Sequence, residues 1–415
     1  MLCVAERPLT APELIDGIAV ELGENPCFNP DGRLEDEEDI HRLCPGLIEV
    51  DIGRYGNQTI RIAHFSVQEY LESGRIHHPG IAHFSVRRPE AHADMAYLCL
   101  TYLLETPVLL VRREEEEKYP LTRYAATCWV EHYHNGDKDL DRVKHHIIRL
   151  FRSTEGEFER WTRYLDQYSS RWTGDHKAVP SPQAVYYASR FGLEPALSAL
   201  LSGPPVGDGR SSQLALPGIL ELLNTQGGGH FGNPIQAASY FGHKGVVQLL
   251  LEKGADINAQ GGHYGTALQA ASYRCHQVLV QLLLEKGADV NAQGGFYGTA
   301  LQAASYRGHQ AVVQLLLEKG ADHGDALQVA STEGYLAVVQ VLLEKGADVN
   351  AQRGCYGTAL QAASHKGYEA VVQLLLEKGA DVNAQGGCYG TALQAASHRG
   401  YEAVVQLLLE KGAKR

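Results

Sequence analysis

The C-terminal half of the chain is one phrase of 33 residues written over and over, and no other feature narrows its possible folds as far. From Gly228 onward G-G-x-Y-G-T-A-L-Q-A-A-S, a short gap and V-V-Q-L-L-L-E-K-G-A-D-V-N-A-Q recur, with closing glycines at Gly254, Gly287, Gly320, Gly346, Gly379 and Gly412. These glycines are spaced 33, 33, 26, 33 and 33 residues apart. A fixed period in this range marks a solenoid, in which each unit buries its apolar faces only against its neighbours. Such arrays expose long surfaces for binding and seldom build a catalytic centre.

Each unit reads as helix, turn, helix and extended finger. Thr266, Thr299, Thr358 and Thr391 stand where a hydroxyl caps free backbone N–H groups, and the following Ala-Leu-Gln-Ala-Ala-Ser suits a helix pressed closely on another. In the second helix Val313, Leu316 and Leu317 form an apolar stripe, which Gly320 ends by taking the left-handed conformation. Ala-Asp-Val-Asn-Ala-Gln-Gly-Gly is then turn chemistry.

On these residues the segment Gly228–Arg415 resembles the ankyrin repeat: Thr-Ala-Leu-Gln stands where that family usually has Thr-Pro-Leu-His, and Gly-Ala-Asp-Val-Asn matches it outright. A more eroded unit precedes, Ser181 to Gly192 followed by Ala196 to Leu201, as an N-terminal cap. Gly203 to Ser212 reads as an inserted loop and Ile219 to Leu223 as the second helix of a further partial unit. The array so defined spans residues 179–415, about six clear units and a degenerate one. In one unit the finger is shortened: Ala321 to Gln328 reads A-D-H-G-D-A-L-Q, seven residues fewer than its counterpart from Ala288 to Gln302. Stacking of helices should continue there, with a notch in the edge near His323 from a deletion tolerated in an exposed loop.

The first half reads differently. Thr10-Ala-Pro-Glu13 forms a capping box for a helix carrying Leu14, Ile15, Ile18, Ala19 and Leu22. The acidic run Glu35 to Asp39 opens a second helix, Ile40 to Cys44, which Pro45-Gly46 stops. Leu47 to Ile52 and Thr59 to Ala63 alternate as strands around Arg54 to Asn57, giving the helix, helix, hairpin, helix order of a winged helix. Arg7-Pro-Leu-Thr10, Cys44 to Ile48 and Ile62-Ala-His-Phe-Ser-Val-Gln-Glu-Tyr-Leu71 resemble the winged-helix segment of fungal NACHT-type STAND proteins, relatives of the NOD-like receptors. Ala91 to Leu100 and Pro120 to His132 are similar to the helical spacer that those proteins carry before their repeats. The fold class expected is mostly α: a winged helix over residues 1–75, a helical spacer over 76–178, then the ankyrin solenoid.

The resemblance implies that His64 holds the diphosphate of bound ADP in the closed state. No G-x-x-x-x-G-K-[ST] occurs in the chain to cradle those phosphates, so His64 is an orphaned sensor or, as favoured here, a structural cap of its helix, and no cofactor is expected. The echo Gly80 to Val86 lacks the following Glu-Tyr-Leu, and His83 is given no role.

Enzyme motifs are absent, with neither G-x-S-x-G nor H-E-x-x-H in the sequence. His132, His134, His145 and His146 lie in the spacer without a ligand partner at convincing spacing, and read as solvated helix-face residues rather than a metal site. Asn57-Gln-Thr59 matches a glycosylation sequon but reads as a turn, and Arg112 to Lys118 as a solvated charge run. The formal net charge of -12 repels phosphate backbones and argues against nucleic acid as partner. Eight cysteines form no C-x-x-C pair and no hydrophobic signal core opens the chain, so reduced thiols and a cytoplasmic location are expected. Cys355 and Cys388, equivalent in adjacent units, are expected about 8–10 Å apart, the spacing of packed helices and beyond the reach of a disulfide. No apolar run has membrane-spanning length.

Positions that vary between otherwise copied units are free of packing duty and are the candidates for protein binding. In the finger these are His230, His263, Phe296, Cys355 and Cys388. At the end of the first helix they are Tyr240-Phe241, Tyr273-Arg274, Tyr306-Arg307, Thr332-Glu333, His365-Lys366 and His398-Arg399, positions that line the groove in the ankyrin family. Tyr and Arg are also common interface anchors. The reading is a non-enzymatic cytoplasmic recognition protein, similar to the ligand-sensing half of a fungal NACHT-ankyrin receptor. An adaptor recruiting clients to a complex such as a ubiquitin ligase is the alternative. The last unit, Tyr401 to Gly412, repeats Tyr368 to Gly379 without capping substitutions, so self-association through that end is a further expectation. The missing phosphate cradle predicts that isothermal titration of this chain with ADP gives no site of micromolar or tighter affinity; such a site would restore His64 as a sensor.

Overall fold

The computed structural model describes residues 1–23, 25–52, 58–73, 85–106, 117–153, 156–169, 184–202, 220, 222–224 and 230–414. The expected turn Arg54 to Asn57, most of the echo phrase around His83, the inserted loop from Gly203 and most of the run Arg112 to Lys118 lie outside them. The chain divides into two compact units, Met1–Ala184 with Ser198–Ser202, and Val185–Leu197 with Gly203–Arg415.

In the first unit β1 (Leu9–Thr10) leads into α1 (Ala11–Ile18), β2 (Val20–Glu21), β3 (Cys27–Phe28), α2 (Glu37–Leu43), β4 (Ile48–Ile52), β5 (Gln58–Ile62) and α3 (Phe65–Glu72). The capping box forms as expected: the Glu13 N–H donates to Thr10 Oγ1 at 3.4 Å and the Thr10 N–H to Glu13 Oε2 at 2.8 Å. The helix is shorter than its apolar spacing suggested. It stops at Ile18 because Val20 pairs with Phe28, so Leu22 lies beyond it. Asp36, accepting from the Asp39 N–H, caps α2. β5 lies between β1 and β4, antiparallel to both, and this register sets Ile60 opposite Leu9 on one side and Val50 on the other, with Leu9 and Ile60 buried.

Among the described residues four helices follow in the same unit: α4 (Arg88–Glu105), α5 (Thr122–Asn135), α6 (Asp141–Phe151) and α7 (Glu157–Ser169). Their core is aromatic. The rings of Trp129 and Trp161 lie 5.3 Å apart, Phe151 lies 5.6 Å from Trp161, and the Trp161 indole donates to the Ala126 carbonyl at 3.0 Å. A buried carboxylate fastens α1 to these helices: Asp16 accepts from Arg33 Nε at 2.6 Å, from the Tyr102 hydroxyl and from the Leu121 N–H. Two spacer histidines depart from the sequence reading. His132 and His146 are buried rather than solvated.

The second unit is the array. After α8 (Ala184–Arg190) and α9 (Glu194–Leu201), pairs of helices recur: α10 and α11 (Pro234–Phe241, Lys244–Glu252), α12 and α13 (Ala267–Tyr273, Gln277–Glu285), α14 and α15 (Ala300–Tyr306, Gln310–Glu318). They continue as α16 and α17 (Ala326–Glu333, Leu336–Glu344), α18 and α19 (Ala359–Lys366, Glu369–Glu377), and α20 and α21 (Ala392–Arg399, Glu402–Glu410). First helices stack on first helices and second on second, through the shortened unit as elsewhere. Val312, Val313 and Leu316 are buried on α15, whereas Leu317 is only half-buried.

The glutamine of Thr-Ala-Leu-Gln ties the units together. At α12 Gln269 closes a capping box, receiving the Thr266 N–H at 2.6 Å and offering its own N–H to Thr266 Oγ1 at 3.2 Å. Its amide then donates onward to the next finger, to the carbonyls of Ala292 at 3.0 Å and Gly298 at 2.5 Å. Gln236 and Gln361 do the same to Ala259 and Gly265, and to Ala384 and Gly390. Asparagines add a second link: Asn258, Asn291 and Asn350 accept the N–H of Asp289, Asp322 and Asp381 in the unit after each. Histidines add a third, with His276 and His309 donating to the carbonyls of Tyr240 and Tyr273 at 2.9 Å. Cys275 replaces the glycine found here in other copies yet keeps its left-handed backbone at φ 62, a strained state for a side-chain-bearing residue.

Gln302, which faces the shortened finger, caps its own helix but has no carbonyl partner in the next unit among the described residues. This contrast generates a test. Gln269→Ala removes a cap and takes the amide partner from the Ala292 carbonyl, whereas the Gly298 carbonyl keeps the Gly294 N–H; it should cost about 2 kcal/mol in chemical unfolding, and Gln302→Ala, which removes the cap alone, about 1 kcal/mol. Equal losses would show that the onward bonds contribute nothing.

Candidate protein-binding surface

Two rows of side chains run along the array, and the candidate residues divide between them. The first row is built by the fingers. Each is a tight loop closed by a backbone bridge, as from the Gly261 N–H to the Gly265 carbonyl at 2.9 Å. Neighbouring fingers bond to one another directly: the His263 N–H donates to the His230 carbonyl, and the Phe296 N–H to the His263 carbonyl, both at 2.8 Å. Their rings stack accordingly, His230 on His263 with centroids 4.4 Å apart and His263 on Phe296 at 4.9 Å, each pair tilted by 16°. Burial in the stack lowers the pKa of His263, leaving it neutral near pH 7. Phe296 ends the stack and is 71% exposed.

The same bond joins Cys388 to Cys355, at 2.8 Å from N–H to carbonyl. This corrects the spacing expected from helix packing. Main chains bonded in this way run about 5 Å apart, inside the Cα window of a disulfide. Both thiols are free and exposed.

The second row is a zigzag of rings in which first-helix ends alternate with finger tyrosines. Tyr240 lies 4.7 Å from Tyr264, Tyr264 lies 5.0 Å from Tyr273, Tyr273 lies 4.7 Å from Tyr297, and Tyr297 lies 5.0 Å from Tyr306. Phe231 joins the N-terminal end, 4.8 Å from Tyr240 and 5.1 Å from Phe241. Desolvation pushes the phenols of Tyr264 and Tyr297 up, so both stay protonated donors. Arg274 reaches back over Tyr240 at 4.9 Å and Arg307 over Tyr273 at 5.1 Å, a cation–π contact that leaves each guanidinium exposed.

The structure thus brings His230, His263 and Phe296 into one row, and Tyr240, Phe241, Tyr273, Arg274, Tyr306 and Arg307 into the other. Both stop at the shortened finger, where Thr332 bonds the carbonyl of Gln328 at 2.7 Å and Glu333 is half-buried. Beyond it the zigzag resumes with Tyr356, His365, Tyr389 and His398. His365 is not an accessible contact as the sequence suggested: it is 2% exposed, stacked 4.2 Å from Tyr389, and its Nε2 accepts from Arg399 at 3.0 Å. Lys366, His398 and Arg399 are exposed. The finger tyrosines 264, 297, 356 and 389 were missed because unit-to-unit variation was the criterion and these are copied in every full finger. In the other unit His64 caps α3, its Nδ1 accepting the Ser66 N–H at 3.2 Å, the structural role favoured from the sequence.

Comparison with known proteins follows these divisions. A family model for ankyrin repeats, in three copies, matches residues 185–294, 293–353 and 327–414, more than half of the chain. A model for the winged helix domain of GPI inositol-deacylase matches residues 1–85. The chain is 39% identical over 270 residues to azaphilone pigments biosynthesis cluster protein L of Monascus ruber, a match covering 62% of this chain and 54% of that one, so the chain spans about half the length of this relative. Among solved structures it is similar to the human ASB11 ankyrin repeat domain, 25% identical with a TM-score of 0.45, and to that of Bcl-3, 29% identical with a TM-score of 0.44. These cover 57% and 56% of this chain and 100% of each domain.

The pairing of fingers predicts that mild oxidation of the purified chain joins Cys355 to Cys388 within one molecule. Peptide mass spectrometry should find the linked pair in the monomer fraction and lose it after reduction. Cross-linking only between molecules would show that the two thiols do not face each other.

Proposed function

The chain belongs to the ankyrin-repeat family, and from that premise we propose that it is a recognition protein without catalysis of its own, which binds a protein ligand along the tyrosine–arginine row. Ankyrin repeats serve protein–protein interaction, and the row supplies what such a site needs. The rings of Tyr240, Tyr264, Tyr273, Tyr297 and Tyr306 give apolar area already fixed in place, so little side-chain freedom is lost on binding. Arg274 and Arg307 stand on that surface as exposed cations able to pair with an acidic or carbonyl-rich partner. The single observation that carries the reading is this unbroken series over three units.

The architecture supports a more specific form: the ligand-sensing part of a fungal NACHT-type, NOD-like receptor, with a winged helix over 1–75, a helical spacer over 76–178 and the array over 179–415. A winged-helix match over residues 1–85 beside an ankyrin array is the feature in its favour. The phosphate-gripping motif is absent from this sequence, so here the NTPase core would be supplied by neither unit. A cytoplasmic location rests on eight cysteines without a C-x-x-C pair, read as reduced thiols, and the exclusion of nucleic acid on the charge of -12. Among the described residues no helix is long and apolar enough to cross a membrane. The name of the Monascus relative makes proteins of a pigment-biosynthesis cluster the first candidates for the ligand.

The test separates binding from packing. Tyr273 and Tyr306 hold the row together, so the informative variant combines Arg274→Ala and Arg307→Ala, both exposed side chains. It should keep the wild-type Tm and lose affinity for the captured partner by about 2 kcal/mol, roughly 30-fold, in a direct titration. Lys366→Ala with Arg399→Ala should bind as wild type. Undiminished affinity in the first variant would move the site off this row.

A further inference from the structure

We propose that Glu6, His92 and His132, none of which serves the recognition surface, form a binding site for a divalent cation of the zinc class. The three come from distant points of the sequence but belong to one compact unit. His92 lies in the second turn of α4 and His132 in the last turn of α5. The two helices meet closely at this end because Gly136 follows α5: a Cβ there would stand 2.8 Å from the Ala93 nitrogen. The Asp137 N–H fastens the crossing by donating to the Pro89 carbonyl at 3.0 Å. Glu6 is brought alongside by its own N–H, which donates to the Tyr124 hydroxyl at 3.1 Å, and its carboxylate is aimed by Asn135 Nδ2 at 3.2 Å.

The donor atoms then form a small triangle. His92 Nδ1 and His132 Nδ1 lie 2.8 Å apart, and Glu6 Oε1 lies 3.8 Å from the first and 3.9 Å from the second. The point equidistant from three atoms so spaced is about 2.1 Å from each, which is the length of a zinc bond to imidazole nitrogen or carboxylate oxygen. Seen from that point the two nitrogens subtend roughly 85° and each nitrogen with the oxygen roughly 130–140°. A facial iron site needs three angles near 90° and is a poor match. Widening the nitrogen pair by about 0.6 Å and drawing the carboxylate oxygen about 0.4–0.5 Å closer to each nitrogen gives tetrahedral angles, with the fourth position open to water.

The surroundings suit a metal as well as the triangle does. His132 is fully buried and its other nitrogen is held 2.7 Å from the Tyr124 hydroxyl, the outer partner that fixes which nitrogen faces the ion. Two imidazoles and one carboxylate favour Zn²⁺ and Co²⁺ over Ca²⁺ and Mg²⁺, which prefer oxygen. In a chain without the cation, the same atoms share a proton between the two Nδ1 positions, which accounts for their 2.8 Å approach.

The experiment is a titration of the untagged, chelator-treated chain with Co²⁺, followed through the visible d–d absorption of four-coordinate cobalt and by competition with Zn²⁺. One Co²⁺ per chain, displaced by Zn²⁺, is expected. His92→Ala and Glu6→Gln, both at partly exposed positions, should weaken binding at least tenfold while leaving the circular dichroism unchanged. Asn135→Ala should weaken it by about tenfold through the aim of Glu6, and His145→Ala should bind as wild type. A second readout is thermal: Zn²⁺ should raise the Tm of the wild type and not that of His92→Ala. A chain that takes up no stoichiometric cation, or whose cobalt spectrum survives both ligand substitutions, overturns the proposal and leaves a hydrogen-bonded histidine pair.

Discussion

The edge of the array is set by a single side chain, the glutamine three residues after each helix cap. A solenoid has no long-range contacts, so its units must be joined by whatever crosses each interface. Apolar stacking supplies most of the energy but little geometry, since the flat faces made by Ala303, Ala304 and their copies could slide. The glutamine removes that freedom. Because Gln269 is fixed at one end by Thr266 and bonds the Ala292 and Gly298 carbonyls at the other, the next finger has one position relative to the helix before it. The fingers then bond to one another, and the rings they carry fall into register.

On the proposed reading, recognition and packing are therefore not separate tasks in this chain. Tyr264 and Tyr297 pack between first-helix tyrosines, and two of those, Tyr240 and Tyr273, are the floor over which Arg274 and Arg307 lie. A floor of this kind is rigid, which lowers the entropic cost of binding. It also means that a mutation in the row changes both stability and affinity unless it is confined to the outermost atoms. The exposed guanidinium groups of Arg274 and Arg307 carry the least of that double duty.

How much of this could be read from sequence depends on the distance over which each feature is written. The helices, their Thr10 and Thr266-type caps and the glycine ends are local patterns, and they stand where the pattern put them. The helix ending at Ile18 was overrun because apolar spacing continues through Ala19 and Leu22, and only pairing of Val20 with Phe28 stops it. β1 and the β2–β3 pair are two residues long each, too short to show a period. The glutamine was read as a replaced histidine, since its onward bonds reach 23 to 29 residues ahead. Finger spacing was misjudged for Cys355 and Cys388 because the helix layer, not the finger layer, was taken as the ruler. The convergence of Glu6, His92 and His132 is written nowhere locally: His92 and His132 are separated by 40 positions, and they meet only because a glycine lets two helices cross.

The shortened finger shows which of these links the stack can do without. Between Gln302 and the next unit the glutamine bond is gone, Asp325 gives its helix no side-chain cap, and both rows of rings are interrupted. The asparagine link survives, with Asn291 accepting from Asp322 at 2.8 Å and donating to Gly320, and the helices still pack across the gap. Helix stacking is thus sufficient to continue the solenoid, while the glutamine and finger bonds are what make its edge a continuous surface. The consequence is a division of that edge by chemistry. On one side lie His230, His263, Phe296 and the tyrosine–arginine row; on the other lie Cys355, Cys388, Lys366 and a histidine already buried against Tyr389. A ligand that follows the main chain of one stretch meets a step before it reaches the other. The edge is thus two stretches of different chemistry, each with its own run of stacked rings.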